Sequence, residues 1–590
     1  MTLYQVTQST DNGNGDTVGT LSYAIRQANV NAGTDAIEFK TDIRITRVMK
    51  TLLDSDIVVI GNGKTVSGDA NNNGQTDNGD LRPFFIKSGD VKFYDLTITN
   101  STAKGGDSAT SGGAGMGGGM FIYGGNVSLS NVTFSNNRAK GGFGSGNTSG
   151  GGGMFGNGYS GGGGGLFASS TGQPGGYGGS GNYGGYGGTT RFVPANNFIV
   201  GGNGGFGGGG GSNVRGKGDR SNGGGGGKGG FGGGGGFGTI AGGNGGFGGG
   251  GGGGNFGGDG GYGAGSSSTG RNGGYGAGSS EGTGTANHSG AGMGGAIFMR
   301  SGNLTLNGVN LNNNSAIAGF GIESAKSKGL GGALFIMKRT TNTNGNNQGM
   351  PTTLPTVVSE GTQPTYSGNS AEDDKGTSDN NDNVFGTVKT VADSKAGNDT
   401  INGTNNSDTL DGGAGNDIIN GQGSSDILIG GIGNDDLNGG TGVDILYGGL
   451  GSDNLNGGAG NDTLIGGAGS DRFIFNSGQE FNSASVGVDT ISDFMQGSDK
   501  IVLSKSTFTG IDSAVGNGFS QPGEFDVVDS LNLVGNVFEG LGAANIIYNS
   551  QDRGLYYIED GLLAGLTNPT KFATLQGNFT PTASDFVITT

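Results

Sequence analysis

The sequence predicts an all-β protein: a right-handed parallel β-helix with a glycine-rich insertion, then a parallel β-roll and a β-rich C-terminal segment. Glycine accounts for 146 of 590 residues and proline for only 9. Because no Gly-X-Y period runs through the chain, collagen is excluded. Hydrophobic residues make up 31% of the chain, which is low for a globular enzyme. Charged residues make up 13%, which is low for a disordered polyelectrolyte. The chain also contains internal repeats, which indicate solenoids.

The β-helix is predicted from loose repeats in residues 1–140 and 291–390. Segments that begin at Phe84, Met120 and Ile297 align with one another, and a fourth begins at Gly331. Each has apolar residues at alternate positions and Gly or Asn at the corners, which is typical of a β-helix coil. Three corners resemble the repeats of polymorphic outer-membrane-type surface proteins: Gly-Gly-Ala-Ile (294–297), Gly-Gly-Ala-Leu (331–334) and Phe-Ser-Asn-Asn (134–137).

A helix is predicted at the start of this β-helix. Leu21, Ile25 and Ala28 recur at the spacing of one helical face. We expect the helix to cover the first coil, because an uncovered solenoid end favours edge-to-edge association.

Residues 141–290 form a glycine-rich insertion between two coils of the β-helix, and two interpretations remain open. It is either a flexible loop, which would lose much entropy on ordering, or a bundle of polyproline-II-like segments in close contact. In the bundle, aromatic side chains are expected on the outside, where they suit binding to glycans or to another copy. The aromatic residues are Tyr177, Tyr183, Tyr186, Phe206, Phe231, Phe237, Phe247, Phe256, Tyr262 and Tyr275.

Residues 391–475 have a strict nine-residue period. An aspartate recurs at every ninth position, with a large apolar residue two positions later and glycines before it. We expect each repeat to be a glycine turn followed by a three-residue strand, and two repeats to form one coil of a roll. Stacked turns would then align carboxylates and carbonyls, the oxygen ligands that Ca²⁺ prefers. The predicted calcium ligands are Asp399, Asp408, Asp417, Asp426, Asp435, Asp444, Asp453, Asp462 and Asp471.

These nonapeptides resemble the repeats-in-toxin (RTX) family, also called haemolysin-type calcium-binding repeats, with the consensus GGxGxDxUx. Six of the nine copies keep every glycine of the consensus. The copy at Asp426 has Gln422 and Ser424 at glycine positions, and the copies at Asp399 and Asp408 also depart from it. We expect these three copies to bind weakly or to act as caps. The resemblance implies several bound Ca²⁺ ions, roughly seven if each lies between turns two repeats apart.

Residues 476–590 lack the period, and their alternating apolar residues predict short strands, for example at 499–503 and 545–548. The segment resembles the one that follows the repeats in proteins exported by type I secretion, where an uncleaved signal lies at the C-terminus. The resemblance implies an extracellular or cell-surface protein that the type I machinery exports without an N-terminal signal peptide. The first residues indeed lack a basic region followed by an apolar stretch.

Composition narrows the classes of partner. The net charge of −17 argues against nucleic acid and in favour of cations. With no Cys and one His, disulfides and thiolate metal sites are impossible. No apolar run is long enough for a membrane helix, so we predict a protein that does not span the membrane. Beyond calcium, the predicted partners are other copies of the chain or surface glycans.

An enzyme on the β-helix is the alternative, specifically a polysaccharide lyase or epimerase. The alginate C-5 epimerases also join a β-helix to calcium repeats, but their Tyr-Gly-x-Asp-Pro-His signature is absent here. Polygalacturonase-like enzymes carry a Gly-His-Gly element, whereas His288 lies between Asn287 and Ser289 and is expected to be a surface residue. No Ser-His-Asp or Cys-His arrangement can form around it, so we predict no catalytic residues.

The predicted function is therefore that of a secreted, calcium-dependent structural or adhesive protein of the cell surface. Such a protein is expected to assemble into fibres, a sheath or a surface layer. Because similar repeat proteins coat some gliding filamentous cyanobacteria, a role related to motility is one variant. A pore-forming toxin is disfavoured, since the chain lacks an amphipathic or apolar segment for membrane insertion.

Overall fold

The structure is a computed structural model, and it divides into two compact units, Thr2–Val391 and Ala392–Thr590. His288 and the aromatic residues Tyr177, Tyr183, Tyr186, Phe206 and Tyr275 lie outside the described residues. A two-stranded antiparallel sheet, Thr190–Val193 with Phe198–Gly201, is described by its backbone. The described residues are 2–144, 151–154, 156–157, 164–165, 190–193, 198–201, 203, 209–210, 225–254, 256–266, 289–320, 327–338, 351–372, 382–391, 396–529, 544–559, 569–577 and 579–590.

The first unit is a parallel β-helix whose strands stack into five sheets. Sheet 1 contains Leu3–Val6, Asp35–Phe39, Ile57–Ile60, Asp90–Tyr94, Asn126–Ser130, Asn303–Asn307, Thr356–Ser359 and Lys389–Thr390. Sheet 2 contains Thr10–Asp11, Ile43–Ile45, Thr65–Ser67, Thr97–Thr99, Thr133–Ser135, Asn310–Asn312 and Thr365–Ser367. Sheet 3 contains Phe84–Ile86, Met120–Ile122, Ile297–Met299, Leu334–Ile336 and Val384–Phe385. Sheets 4 and 5 contain Thr102–Lys104, Arg138–Lys140, Ser315–Ile317 and Ser370–Ala371, and Gly115–Met116, Gly292–Met293 and Gly329–Leu330.

Strand register confirms the repeat alignment made from the sequence. In sheet 3, Met120 pairs with Phe84 and Ile297, and Ile297 pairs with Leu334. All four side chains are buried in one continuous core that runs along the β-helix. The alternation of apolar residues predicted these positions because successive side chains of a strand point to opposite faces.

The predicted N-terminal helix is confirmed at Leu21–Ala28. The side chain of Thr20 caps it by accepting the backbone N–H of Tyr23 at 3.3 Å. Its apolar face, including Leu21 and Ile25, belongs to the core of the β-helix together with Val6 of the first strand. Among the described residues, no helix has the length and apolar character needed to cross a membrane.

Buried asparagines form a ladder at one corner of the β-helix. The amide nitrogen of Asn137 donates to Oδ1 of Asn314 at 3.0 Å, and Asn314 donates to Oδ1 of Asn369 at 3.1 Å. Asn314 also donates to the carbonyl oxygen of Phe134 at 3.0 Å. The ladder satisfies backbone and amide groups in a place that water cannot reach.

The described part of the glycine-rich insertion is ordered by backbone hydrogen bonds, mostly outside helices and sheets. The N–H of Gly246 donates to the carbonyl oxygen of Gly233 at 2.9 Å, and Gly249 donates to Gly246 at 2.9 Å. A Cβ on Gly246 would overlap the carbonyl oxygen of Gly230, so the segments lie too close for any residue with a side chain. Of the two interpretations, the described residues follow the ordered bundle.

The prediction that the aromatic residues lie outside this bundle is wrong for Phe247 and Tyr262, which are buried. Their rings stack with centroids 5.2 Å apart, and Phe247 packs edge to face on Phe298 at 6.1 Å. The physical reason is a row of outward-facing rings on sheet 3, which presents an apolar surface that the insertion covers. This row consists of Phe85, Phe121, Phe298, Phe335 and Phe385.

The second unit contains two sheets that begin in the nonapeptide repeats and continue into the C-terminal segment. Sheet 6 contains Thr400–Asn402, Ile418–Gly423, Asp436–Thr441, Asn454–Ala459, Arg472–Phe475, Lys500–Ser504, Phe586–Thr589 and Gly516–Asn517. Sheet 7 contains Thr409–Ala414, Ile427–Ile432, Ile445–Leu450, Thr463–Ala468, Asp489–Ile491, Thr570–Leu575, Gly554–Tyr557, Ile546–Asn549 and Phe525–Val528. Among the described residues of this unit, the short helical elements are Ser483–Val486 and Ala583–Asp585.

The repeats form a β-roll in which two nonapeptides make one coil, because Leu428 pairs with Leu446 in the next coil of sheet 7. The strands of complete repeats have six residues rather than the predicted three. They are longer because the paired glycines also enter the ladder, as Gly431 does with Gly449.

Residues 476–590, predicted as a separate domain, share sheets and core with the roll. Leu464 and Phe473 of the repeats lie in the same buried cluster as Leu503, Phe572 and Phe586. The C-terminal strands therefore cover the last coil of the roll, which would otherwise expose apolar side chains and unpaired strand edges.

We predict that replacing Asn314 by alanine lowers the free energy of unfolding by about 1–3 kcal/mol, because it removes the side-chain acceptor of the buried backbone N–H of Asn137 and the side-chain donor to the carbonyl oxygen of Phe134. Urea unfolding of the full chain measures the change. Asn303→Ala is the matched control, since Asn303 donates to Asn126 at 2.8 Å on the exposed surface. We expect that control to cost less than about 0.5 kcal/mol. Equal losses in both variants would contradict the role of the ladder.

Candidate metal centre

The nine predicted ligands occupy equivalent places, since each aspartate immediately precedes a strand of the roll. Asp435 and Asp453 precede strands of sheet 6, whereas Asp426 and Asp444 precede strands of sheet 7. Two rows of carboxylates therefore run along the roll, one per sheet, with one aspartate per coil. We call them the aspartate rows.

From Asp417 onward, one oxygen of each carboxylate in the rows orients the side chain by accepting a backbone hydrogen bond. The N–H of Asp435 donates to Oδ1 of Asp453 at 2.8 Å, and the N–H of Asp426 donates to Oδ1 of Asp444 at 2.8 Å. The same bond recurs between aspartates 18 residues apart from Asp399 onward. The carboxylates of the central repeats are thus held in place through Oδ1, and their Oδ2 atoms remain available as ligands.

In the central repeats, Oδ2 is buried and accepts no hydrogen bond. The aspartates concerned are no more than 1% exposed. An ionised carboxylate in such a place costs on the order of a few kcal/mol unless an opposite charge faces it. The arrangement therefore favours a bound cation. The residues are Asp426, Asp435, Asp444, Asp453 and Asp462.

Burial raises the pKa of these carboxyl groups, to about 6 for Asp435, about 7 for Asp444 and about 8 for Asp453. Removal from water is the largest cause, and repulsion between carboxylates of the same row adds to it. Without a cation, the rows therefore hold protons close to neutral pH, and an ion that binds there displaces them.

Backbone carbonyl oxygens converge on the same spaces as the Oδ2 atoms. A Cβ on Gly448 would overlap Oδ2 of Asp453 and lie 2.6 Å from the carbonyl oxygen of Gly466. Only a residue without a side chain leaves this space open to both oxygens, and such hard oxygen ligands fit Ca²⁺. The same convergence occurs at Gly412, Gly421, Gly430 and Gly439.

The carboxylates do not cluster. Across the described residues, no group of three or more Asp, Glu, His or Cys side chains surrounds a single point. Successive aspartates of a row are one coil apart, so an ion in a row would take main-chain carbonyls as well as carboxylates. Such a site is recognisable from its repeat and not from a local cluster of acids.

The copies that depart from the consensus differ locally from the complete repeats. Gln422 and Ser424 adopt the positive φ angles of the glycines they replace, at 79° and 69°. At Asp408, Oδ2 already accepts the backbone N–H and the hydroxyl of Thr404, at 2.7 and 2.9 Å. Asp399 is exposed. The first coil therefore offers fewer buried carboxylate oxygens without a donor to an ion than the central coils do.

Two further aspartates extend the rows beyond the nine predicted ones. The N–H of Asp462 donates to Oδ1 of Asp489 at 3.0 Å, and the N–H of Asp471 donates to Oδ1 of Asp499 at 3.0 Å. Both are buried, and burial raises their pKa. They were missed because the nine-residue period stops before them. The remaining signal is Asp followed two positions later by Ile491 or Ile501, as in the repeats.

Residues of the roll are similar to a known family of repeats. A family model for the RTX calcium-binding nonapeptide repeat, which spans four copies, matches residues 393–428, 420–455 and 447–479. This segment is therefore similar to RTX calcium-binding repeats. The RTX match supports Ca²⁺ as the ion and implies a secreted protein, and it gives no support to a polysaccharide-modifying enzyme. No curated protein is significantly similar to the chain.

We predict that Gln422→Gly raises the free energy of unfolding of the calcium-loaded protein by roughly 0.5–1 kcal/mol, because glycine adopts a positive φ without strain. The side chain of Gln422 is exposed, so its loss removes little packing. The reverse change, Gly431→Gln, places a Cβ against the carbonyl oxygen of Gly413 and should cost about 2 kcal/mol or more. Urea unfolding in calcium measures both. A destabilised Gln422→Gly variant would contradict the strain.

The raised pKa values predict how the calcium-free repeats respond to pH. Their folded-state pKa values lie above the unfolded value of about 4, so the stability they contribute is present below pH 4 and disappears as pH rises through 6 to 8. The calcium-stripped protein should therefore melt about 5 °C or more higher at pH 5 than at pH 8. Circular dichroism measures the midpoint. A calcium-free chain that melts higher at pH 8 would contradict the buried rows.

Proposed function

We propose that the chain is a secreted structural or adhesive protein whose second unit folds around several calcium ions, and that the folded chains assemble into fibres, a sheath or a surface layer. The RTX repeats support calcium binding and secretion. The observation that carries the calcium dependence is the set of buried Oδ2 atoms without hydrogen-bond donors. Assembly is supported by the last strand of sheet 1, Lys389–Thr390, which among the described residues pairs within its sheet only with Thr356–Ser359 and so leaves its other edge unpaired in that sheet.

The proposed ligands are the aspartate rows together with carbonyl oxygens of the first glycines of the complete repeats. The central carboxylates are expected to bind most tightly, and Asp489 and Asp499 extend the rows toward the C-terminus. The other predicted ligands, Asp399, Asp408, Asp417 and Asp471, lie nearer the ends, where the first two are less buried. Bound Ca²⁺ would supply the positive charge that the buried carboxylates lack. The repeat length sets the spacing between successive carboxylates.

Calcium bound to the repeats is expected to order the C-terminal segment as well. The two segments share sheets and one core, so the roll provides the surface on which Phe572 and Phe586 pack. We propose that the chain leaves the cell through the type I machinery without bound calcium, and folds when it meets calcium outside. Low affinity would keep the sites empty in the cytosol.

Self-association is favoured over glycan binding by the insertion. Aromatic rings available on a glycine lattice would suit glycans, but Phe247 and Tyr262 are buried against sheet 3. In the described part of the insertion, Phe256 is exposed. Because the bundle packs its rings on sheet 3, it adds a layer to the β-helix, which suits a subunit of an assembly better than a glycan-binding surface.

Electron microscopy and sedimentation of the full chain test the proposed assembly. Protein stripped with a chelator should sediment as single chains, and regular fibres or sheets should appear after return to millimolar Ca²⁺. Single chains that persist at high protein concentration in calcium would overturn self-assembly, while leaving calcium binding intact.

Asp453→Asn separates an effect of the bound ion from a general salt effect. The variant should need several-fold more calcium for assembly, since it removes one ligand charge. Asp436→Asn is the matched control, because Asp436 is the first residue of the strand Asp436–Thr441 in the same roll but its side chain is exposed and accepts the amide of Asn454. Assembly that responds equally in both variants would argue against the aspartate rows as its calcium sensor.

A further inference from the structure

A second pattern of oxygen-bearing residues lies in the first unit, outside the RTX repeats. Residues 69–80 read Asp-Ala-Asn-Asn-Asn-Gly-Gln-Thr-Asp-Asn-Gly-Asp. Asp or Asn occupies positions 1, 3, 5, 9 and 12 of this stretch, and glycine occupies position 6. This is the spacing by which a twelve-residue loop surrounds one Ca²⁺, with a main-chain carbonyl at position 7 as a further ligand. We call it the 69–80 loop.

The 69–80 loop leaves sheet 2 directly after the strand Thr65–Ser67 and returns to the same place, because the N–H of Leu81 donates to the carbonyl oxygen of Gly68 at 2.9 Å. Neighbouring coils hold it. The hydroxyl of Thr76 donates to the carbonyl oxygen of Asn136 at 2.6 Å, and the hydroxyl of Thr102 donates to that of Asp77 at 2.9 Å. The loop is therefore a positioned excursion on a rigid solenoid.

Inside the loop, the first aspartate organises a tight turn. Oδ1 of Asp69 accepts the N–H of Asn73 at 3.1 Å, and Oδ2 accepts the N–H of Gly74 at 2.7 Å. Gly74 has a φ of 72°, so glycine at position 6 meets a backbone requirement.

Asp80 at position 12 supplies an independent sign of a missing ligand. It is only 3% exposed, and its Oδ1 is buried without a hydrogen-bond partner. Its Oδ2 accepts the N–H of Asp77, which turns the carboxylate toward the loop.

Two amide side chains of the loop donate hydrogen bonds to one of its own carboxylates. Asn71 and Asn73 both donate to Oδ2 of Asp77, at 2.7 and 3.0 Å. An ion would replace these two donors and draw the carboxylates together, since they do not yet surround one point. Arg138 is the competing positive charge, but its guanidinium donates a hydrogen bond to Oδ1 of Asn78 at 3.3 Å.

We propose that the 69–80 loop is a calcium site distinct from the RTX repeats. It goes beyond the proposed function, because it places a calcium ion in the β-helix. Position 12 is Asp where such loops commonly have Glu, so one ligand reaches less far and the affinity falls in the weak range typical of extracellular sites. The ligands are the side chains of Asp69, Asn71, Asn73, Asp77 and Asp80 and the carbonyl oxygen of Gln75.

A tryptophan reporter tests this site without interference from the repeats. The chain has no Trp, and Gln75 is exposed and ligates through its main chain, so Gln75→Trp adds one donor beside the loop. Terbium, a luminescent substitute for Ca²⁺, should emit on tryptophan excitation of the full-length variant, and added Ca²⁺ should suppress the emission. Absence of sensitised emission would overturn the proposal.

Second substitutions on this reporter identify the ligands. Asp80→Asn should weaken terbium binding at least tenfold, and Asp69→Asn should act likewise. Asp90→Asn is the matched control, because Asp90 is an exposed acid of the same unit outside the loop; it should change nothing. Emission that survives both ligand variants would overturn the proposal and leave Arg138 as the counter-charge of Asp80. Equal circular dichroism and melting in chelator exclude misfolding as the cause of a lost signal.

Discussion

Burial of negative charge is the constraint on which the second unit depends. The roll places one carboxylate per coil in each aspartate row, out of contact with water, and one oxygen of the central carboxylates has no donor. Backbone hydrogen bonds to Oδ1 orient these groups but do not neutralise them. A row of this kind is stable only with protons or cations bound to it, so the fold of the repeats and their ligand are one thermodynamic event.

Close approach of backbones links this constraint to the composition of the chain. In the roll, a first glycine such as Gly448 leaves the space in which a carboxylate and a carbonyl oxygen meet. In the insertion, glycines such as Gly246 let neighbouring segments bond directly through their main chains. The high glycine content thus serves two purposes: a ligand cavity in one unit, and a tightly packed support for the β-helix in the other.

The features of the fold that a repeat period determines could be predicted from the sequence. A nine-residue period sets both coil length and side-chain direction, and in the roll each of the nine aspartates directly precedes a strand. Asp489 and Asp499 were missed because 27 and 28 residues, instead of 18, separate them from their partners. Burial of Phe247 and Tyr262 could not be predicted, because the rings that they cover line up only when the coils stack in register. Both failures concern contacts that are distant in sequence and follow no repeat.

Hydrogen exchange of the full chain, followed by mass spectrometry with and without calcium, tests the central claim most directly. If the buried rows require cations, amides in residues 417–475 and in the C-terminal strands will gain strong protection when calcium is added. The strand Asn126–Ser130 of the β-helix will serve as an internal reference, because it is hydrogen-bonded to a neighbouring strand on each side. Equal protection of the repeats with and without calcium would contradict the account.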